Sequence, residues 1–215
     1  MVSISDVEAA YERIRGSVVR TSVLTSTTIN RMTDCEVFFK CENFQRVGAF
    51  KFRGAFNAVS LLSDDEKKRG VITHSSGNHA QALSLAASMH GIHCTIVIPS
   101  NSPRVKVNAT KGYGAEVVFC KPTLESRETT ASEIIEKHGC TLIHPYDNEN
   151  IIAGAGTAVL ELIEDVGCLD YVFSPVGGGG LLSGTSITTK GKCPDATMIA
   201  VEPKNADDAY RSFKS

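Results

Sequence analysis

From residue 71 onward the chain alternates short β-rich apolar runs with stretches of helical periodicity, and this alternation constrains the fold more than any other feature. "VITH" precedes a helix near 78–90 closed by Gly91, and "HCTIVIP" precedes one near 103–111 closed by Gly112. "AEVVFC" (115–120) precedes a helix near 124–138 closed by Gly139, "TLIHP" one near 149–166, and "LDYVFSPV" one near 180–190, before a last run "TMIAVEP". Strands that read as continuous apolar runs, each separated by a helix, predict parallel sheets covered on both faces, hence an α/β fold. Ligands in such folds bind beyond the carboxyl ends of the strands, which directs attention to the segments after each apolar run.

The N-terminal part follows another pattern. "DVEAAYERI" reads as a helix, "EVFFKCE" as a strand and "FRGAFNAVSLL" as an amphipathic helix. No low-complexity linker interrupts the chain, so two domains, if present, are joined by crossings within the α/β pattern.

Composition narrows the partners. The 22 Lys+Arg and 24 Asp+Glu leave a net charge of -2, which gives no positive field for nucleic acid or an anionic membrane. A small-molecule partner is expected instead. No apolar run approaches the ~20 residues of a spanning helix, and the first residues lack the basic and apolar regions of a signal peptide; a cytoplasmic location is expected. The 7 cysteines are scattered, with no C-x-x-C and no zinc-like spacing, and most are expected to be small core residues.

Three strand-end segments carry chemistry. "SPVGGGGLLSG" places Gly177, Gly178, Gly179 and Gly180 between an apolar strand and a helix, where backbone N–H groups and the positive helix end can close on a phosphate. The spacing matches neither the dinucleotide nor the nucleoside-triphosphate loop. "THSSGNHAQ" sets Ser75, Ser76, Gly77 and Asn78 at a helix mouth; helix capping accounts for one of these groups, and a polar ligand accounts for the surplus. In "AFKFRGA", Lys51 stands at a helix start, the unfavourable end for a cation. The dipole and partial burial favour a neutral amine there, able to form a Schiff base with an aldehyde, although an ordinary surface lysine is the commoner case. An aldehyde and a phosphate together are carried by pyridoxal 5'-phosphate.

"ENFQRVGAFKFRGAFNAV", "SSGNHAQALSLAA", "GYGAEVV", "IIAGAGT", "PVGGGGLLSG" and "VEPKNADDAYRS", in this order, resemble the fold-type II pyridoxal-phosphate enzymes, tryptophan synthase β-like in architecture. Within that group the resemblance is strongest to the serine racemases and their threonine and hydroxyaspartate dehydratase relatives. It implies a large cofactor-binding domain of residues 1–69 and 148–215 with a small domain of 70–147. It implies Lys51 as the Schiff-base lysine, Phe50 beside the cofactor ring, Asn78 on the ring hydroxyl, and Gly177 to Gly180 with Leu181 around the phosphate. Ser76 matches the serine facing the α-carbon opposite the lysine, and Ser75, Gly77, His79 and Gln81 fall in the segment that receives the substrate carboxylate.

The implied reaction interconverts L- and D-serine, with β-elimination to pyruvate and ammonia at the same site. L-threonine or 3-hydroxyaspartate ammonia-lyase activity is the alternative, and a remnant without catalysis the non-enzyme alternative. "EPKNADDAY" by itself reads as a helix start with acidic residues in its first turn, capped by Asn205; the resemblance instead implies that Glu202, Asp208 and the Ala206 carbonyl bind Mg2+, Ca2+ or Mn2+. It also implies a homodimer and an ATP effector site near Ser26, Thr27, Thr28 and Arg46. Members of the group continue for roughly another domain beyond the segment seen here, on the scale of ~100–200 residues per domain, so the C-terminal part of the large domain and the polar partner of the pyridine nitrogen are expected outside it. Ala155 stands where Gln is common and Ser22 where Pro is usual.

Overall fold

The structure is a computed structural model that describes residues 1–214. Helix α1 (Ile4–Ile14) opens with a reciprocal cap: the Asp6 carboxylate accepts from the Ser3 N–H at 2.8 Å, and the Ser3 hydroxyl accepts from the Asp6 N–H. It buries Val7, Ala10 and Ile14, one stripe of its surface. Strand β1 (Val23–Thr25) and helix α2 (Thr27–Thr33) lead to β2 (Phe38–Lys40), which pairs antiparallel with β1. Two short 3-10 turns then lead into α3 (Lys51–Ser60), and α4 (Asp64–Arg69) follows with its own reciprocal cap between Ser63 and Glu66.

The alternation expected from residue 71 is present. Strand β3 (Val71–His74), α5 (Asn78–Met89), β4 (Cys94–Pro99), α6 (Arg104–Gly112), β5 (Glu116–Cys120), α7 (Leu124–His138) and β6 (Thr141–Leu142) form a parallel sheet of order β5-β4-β3-β6. All six residues of β4 are buried, as befits a central strand covered on both sides. Helix α8 (Glu149–Val166), β7 (Tyr171–Pro175), α9 (Gly180–Lys192), β8 (Thr197–Val201) and α10 (Asp208–Lys214) complete the described chain, with β7 and β8 paired in parallel. Among the described residues no helix is long and apolar enough to cross a membrane.

Three local expectations need correction. The helix predicted to close at Gly112 does end there, with Gly112 as its last residue, but the positive-φ turn falls at Gly114 (φ +93). The helix read as amphipathic over 52–62 is instead buried at every position from Phe52 to Val59, including Arg53, because α1, α5 and α8 all pack on it. The β7–β8 sheet is covered on one face only: Val172 and Ser174 point inward, while Tyr171 and Phe173 remain 60% and 65% exposed. The cysteine reading holds for Cys41, Cys94, Cys120 and Cys140, which are buried and free, and burial pushes the Cys94 thiol up to about 12. Cys168 and Cys193, however, are joined in a disulfide across 25 residues, tying the end of α8 to the end of α9.

Helix α8 runs between α3 and α9 at very close range, and glycine makes both approaches feasible. A Cβ on Gly54 would lie 2.7 Å from the Ile151 carbonyl oxygen, and one on Gly154 would lie 2.7 Å from the Arg53 carbonyl oxygen. On the other side, a Cβ on Gly156 would lie 2.8 Å from the Gly184 carbonyl oxygen, and one on Gly184 2.6 Å from the Gly156 nitrogen. The helix bearing Lys51 and the helix that follows the four glycines are therefore held at fixed distance by one shared neighbour.

Candidate active site

Lys51 is the first residue of α3 and is half-buried. Its Nζ donates to the Pro145 carbonyl at 2.7 Å and lies 5.2 Å from the centre of the Phe50 ring. Burial pushes its pKa below the ordinary lysine value, the direction that favours the nucleophilic neutral amine. The amine faces a cavity of about 580 Å3 lined also by His74, residues 75–79, Lys106, Leu124, Arg127, Pro145 and Tyr146. Its walls come from the carboxyl ends of β3 and β6, as the strand-end rule requires.

The serine-rich turn after β3 does not cap α5. Gly77 occupies the cap position without a side-chain bond, and the Ser75 hydroxyl accepts from the Gly77 N–H at 3.3 Å. The first N–H groups of α5 are thus left to the cavity. His79 is almost fully buried; its Nε2 donates to the Ile143 carbonyl at 3.1 Å, and burial holds its pKa at about 3, so the ring is neutral. Its Nδ1 and that of His74 have no partner among the described residues. Gln81 lies one turn into α5 and is half-buried.

The four glycines follow β7 and open α9, whose start likewise lacks a side-chain cap. Gly179 has φ +85, a conformation that favours glycine. A Cβ on Gly178 would run into the Tyr146 ring, and one on Gly180 would lie 2.9 Å from the Tyr146 carbonyl oxygen. Gly177 has neither reason: its φ is not positive, and nothing lies within 4 Å of where a Cβ would stand. Tyr146 covers Gly178 and Gly180, and none of the four glycines is among the residues lining the Lys51 cavity; the uncapped start of α9 is the feature that suits an anion such as a phosphate.

Tyr146 was not singled out in the sequence. It stacks edge-on to His144 with centroids 4.6 Å apart, lines the Lys51 cavity and lies against Gly178, so it stands between the lysine and the glycine turn. Lys106 and Arg127 were missed as well. The usable signal was the position of "HPY" directly after an apolar run.

The remaining expected residues lie apart from this cavity. Glu202 accepts from the Ala209 and Tyr210 N–H groups at 3.1 and 2.8 Å and so caps α10, while Asp208 and Ala206 are exposed. Asn205 is not the capping group. Among the described residues no group of three or more His, Cys, Asp or Glu could hold a metal ion. Ser26 caps α2 by accepting from Ile29, Thr27 and Thr28 begin that helix, and Arg46 donates through Nε to the Ser17 carbonyl at 2.6 Å.

A half-buried lysine of lowered pKa, a ligand-ready glycine turn and an uncapped serine-rich helix start fit a cofactor with an aldehyde at one end and a phosphate at the other. Comparison with known proteins meets the same chemistry. Residues 14–215 match the model of the pyridoxal-phosphate dependent enzymes. The chain is 52% identical over 214 residues to the serine racemase of Dictyostelium discoideum, covering 100% of this chain and 66% of that protein. It is 48% identical over 210 residues to the beta-hydroxyaspartate dehydratase of Paracoccus denitrificans, covering 98% and 67%. The crystal structure of the Dictyostelium serine racemase superposes with a TM-score of 0.96, covering 99% of this chain and 69% of that one. The chain spans about two thirds of the length of these relatives. An α/β framework that presents Lys51 and the glycine turn on either side of α8, matched over almost its whole length, belongs to the pyridoxal-phosphate dependent enzyme family.

Proposed function

We propose that the protein is a pyridoxal-phosphate dependent serine racemase that also eliminates water from serine to yield pyruvate and ammonia. The observation that carries this reading is the desolvated Lys51 amine sharing one cavity with the Ser76 hydroxyl. In this reading Lys51 holds the cofactor covalently, Phe50 flanks its ring, Asn78 meets the ring hydroxyl, and Gly177, Gly178, Gly179, Gly180 and Leu181 hold its phosphate. The bound cofactor supplies an electron sink that stabilises negative charge at a substrate α-carbon.

The protein's own groups divide the remaining work. Freed when the substrate amine displaces it, the neutral Lys51 Nζ takes the α-proton, and Ser76 returns one at its hydroxyl to invert the centre. Ser75, Gly77, His79 and Gln81 receive the substrate carboxylate, with the free N–H groups of α5 as donors. Loss of the β-hydroxyl in place of reprotonation gives the elimination. The domain division at 1–69 with 148–215 against 70–147, the homodimer and the ATP site at Ser26, Thr27, Thr28 and Arg46 belong to the same reading. So does a divalent cation at Glu202, Ala206 and Asp208, although both Glu202 oxygens already accept backbone N–H groups. A cytoplasmic location is part of it too.

A second reading is favoured by one observation: Lys106 and Arg127 line the cavity with Lys51, so a substrate with a second carboxylate, such as 3-hydroxyaspartate, finds a cationic counterpart there. The test is to incubate the chain with pyridoxal phosphate, reduce with borohydride and locate the added mass. An adduct on Lys51 is expected, and D-serine from L-serine by chiral analysis. An adduct without D-serine, but with ammonia released from 3-hydroxyaspartate, selects the second reading. No adduct on Lys51 sinks both and leaves a remnant that keeps only the fold.

A further inference from the structure

Beneath α3, on the side away from the cavity, lies a cluster of charges that the proposed chemistry does not use. Arg53 is fully buried and forks in two directions. Its Nε and Nη2 donate to Glu42 at 2.8 Å each, and its Nη1 and Nη2 donate to Glu161 at 2.8 and 2.7 Å. The Lys40 ammonium pairs with Glu161 at 2.8 Å and donates to the Thr21 carbonyl. The Thr157 and Thr21 hydroxyls complete the shells of Arg53 and Glu42. Burial alone would lower the Arg53 pKa, and the bonds from Glu42 and Glu161 outweigh it.

Two cations and two anions so deeply placed are poor stabilisers, because desolvation cancels much of their attraction and apolar replacements often do as well. What such forks supply is orientation, since a planar guanidinium held by two carboxylates fixes both direction and rotation. Residues 51 and 53 are separated by about 200° around the helix axis, so Arg53 grips the face opposite the one from which Lys51 leaves. The Gly54–Gly154 approach fixes how far α3 stands from α8; the buried side chains and the Asn57 bonds to Arg13 and to the Asn150 carbonyl limit its rotation coarsely, and the Arg53 fork sets it finely. A rotation of about 10° moves a side-chain tip about 6 Å from the axis by about 1 Å, on the dimensions of an α-helix.

We propose that Arg53 is a positioning residue for Lys51: its double fork to Glu42 and Glu161 sets the rotation of α3 that directs the Lys51 amine to the Pro145 carbonyl in the cavity. The inference rests on the reading of Lys51 as the reactive amine. It makes the ionic cluster the back anchor of the site, and it assigns the fork, not the positive charge, as the functional feature.

Competitive acetylation of the whole chain with acetic anhydride, read residue by residue by mass spectrometry across pH, tests it without any cofactor. Exposed Lys137 serves as the internal reference. The other titratable or cationic groups lining the cavity with Lys51 are His74, His79, Lys106, Arg127 and Tyr146, and all are left in place. In the unaltered chain Lys51 should titrate below Lys137. The variant R53M/E161Q removes one charge of each sign and keeps the side-chain volumes, so its urea midpoint should stay near that of the unaltered chain. Its Lys51 should nevertheless gain water and shift to titrate with Lys137, with slower acetylation near neutral pH than in the unaltered chain. R53K keeps the charge, loses the fork and should show the same loss, so it serves equally if the double variant does not fold. A Lys51 profile unchanged in a folded variant overturns the positioning role alone. A Lys51 in the unaltered chain that already titrates with Lys137 overturns the reactive-amine reading and the positioning role with it.

Discussion

Replacing Gly184 by Ala probes the claim that α8 sets the distance between the two halves of the site. The new Cβ would run first into the Ile152 carbonyl oxygen and would lie 2.6 Å from the Gly156 nitrogen and 3.0 Å from its Cα, short of ordinary 3.4 Å contact by about 0.8 Å already at that nitrogen. The obstructing atoms are backbone, so no side-chain rotation relieves them, and α9 has to retreat from α8. Overpacking of this kind costs about 1–3 kcal/mol, which for a chain of this size lowers Tm by about 2–4 °C for each kcal/mol. Gly184 lies one turn beyond Gly180, so the glycine turn retreats with the helix, and a shift near 1 Å at a binding site is of the size that costs about 100-fold in function. Scanning calorimetry gives the first quantity, and titration with pyridoxal phosphate followed by the Lys51 adduct gives the second. Gly112→Ala is the control, because its Cβ meets nothing within 4 Å and its φ is not positive. Equal Tm values and equal cofactor retention for Gly184→Ala and the control would refute the spacing argument.

Two further outcomes follow from burial and covalent linkage. His79 is neutral in the fold with a pKa of about 3 against 6.5 for the free ring, so the unfolded chain binds more protons between those values and stability falls as pH drops through that window. His79→Gln should remove a slope of about 1.4 kcal/mol per pH unit from urea denaturation measured between pH 6 and 4; parallel pH profiles for the two proteins would show that the ring is hydrated in the fold. Cys168→Ser opens a bridge spanning 25 residues, and on the chain-entropy estimate this should cost about 3.5 kcal/mol. An unchanged urea midpoint on reduction would mean that the bridge is absent from the protein in solution.

The sheet of residues 71–142 was legible because its strands carry their own signal: continuous apolar runs, each followed by a helix with a glycine near its end. Helix α4 was readable in principle from Ser63 and Glu66, whose spacing is that of a reciprocal cap, yet its charged sequence "DDEKKR" has no apolar stripe to announce it. Arg53 was not legible as buried, since its partner Glu161 stands 108 positions away and nothing local distinguishes a desolvated arginine from a surface one. The disulfide escaped for the same reason: each cysteine follows a helix end, and only the tertiary arrangement of α8 and α9 brings the two together. Lys51, the serine turn and the glycine turn were recognisable because each stands at the boundary of an element, where residue type and backbone position together carry meaning. Tyr146 could be placed at a strand end from "HPY", but its contact with Gly178 could not, because that depends on how β6 and β7 are set in space.

Helices α1, α2, α4, α7 and α8 each close their first turn with a side chain, whereas α3, α5, α6 and α9 do not. Peptide amides neither gain nor lose protons over the range in which proteins survive. A phosphate gripped by the opening amides of α9 would therefore be retained with nearly constant strength from mildly acid to alkaline solution, its own second ionisation aside, while Lys51 and the other titrating side chains alter the turnover step. In the proposed reading, the grip on the phosphate and the covalent link at Lys51 should accordingly answer to acidity on separate curves.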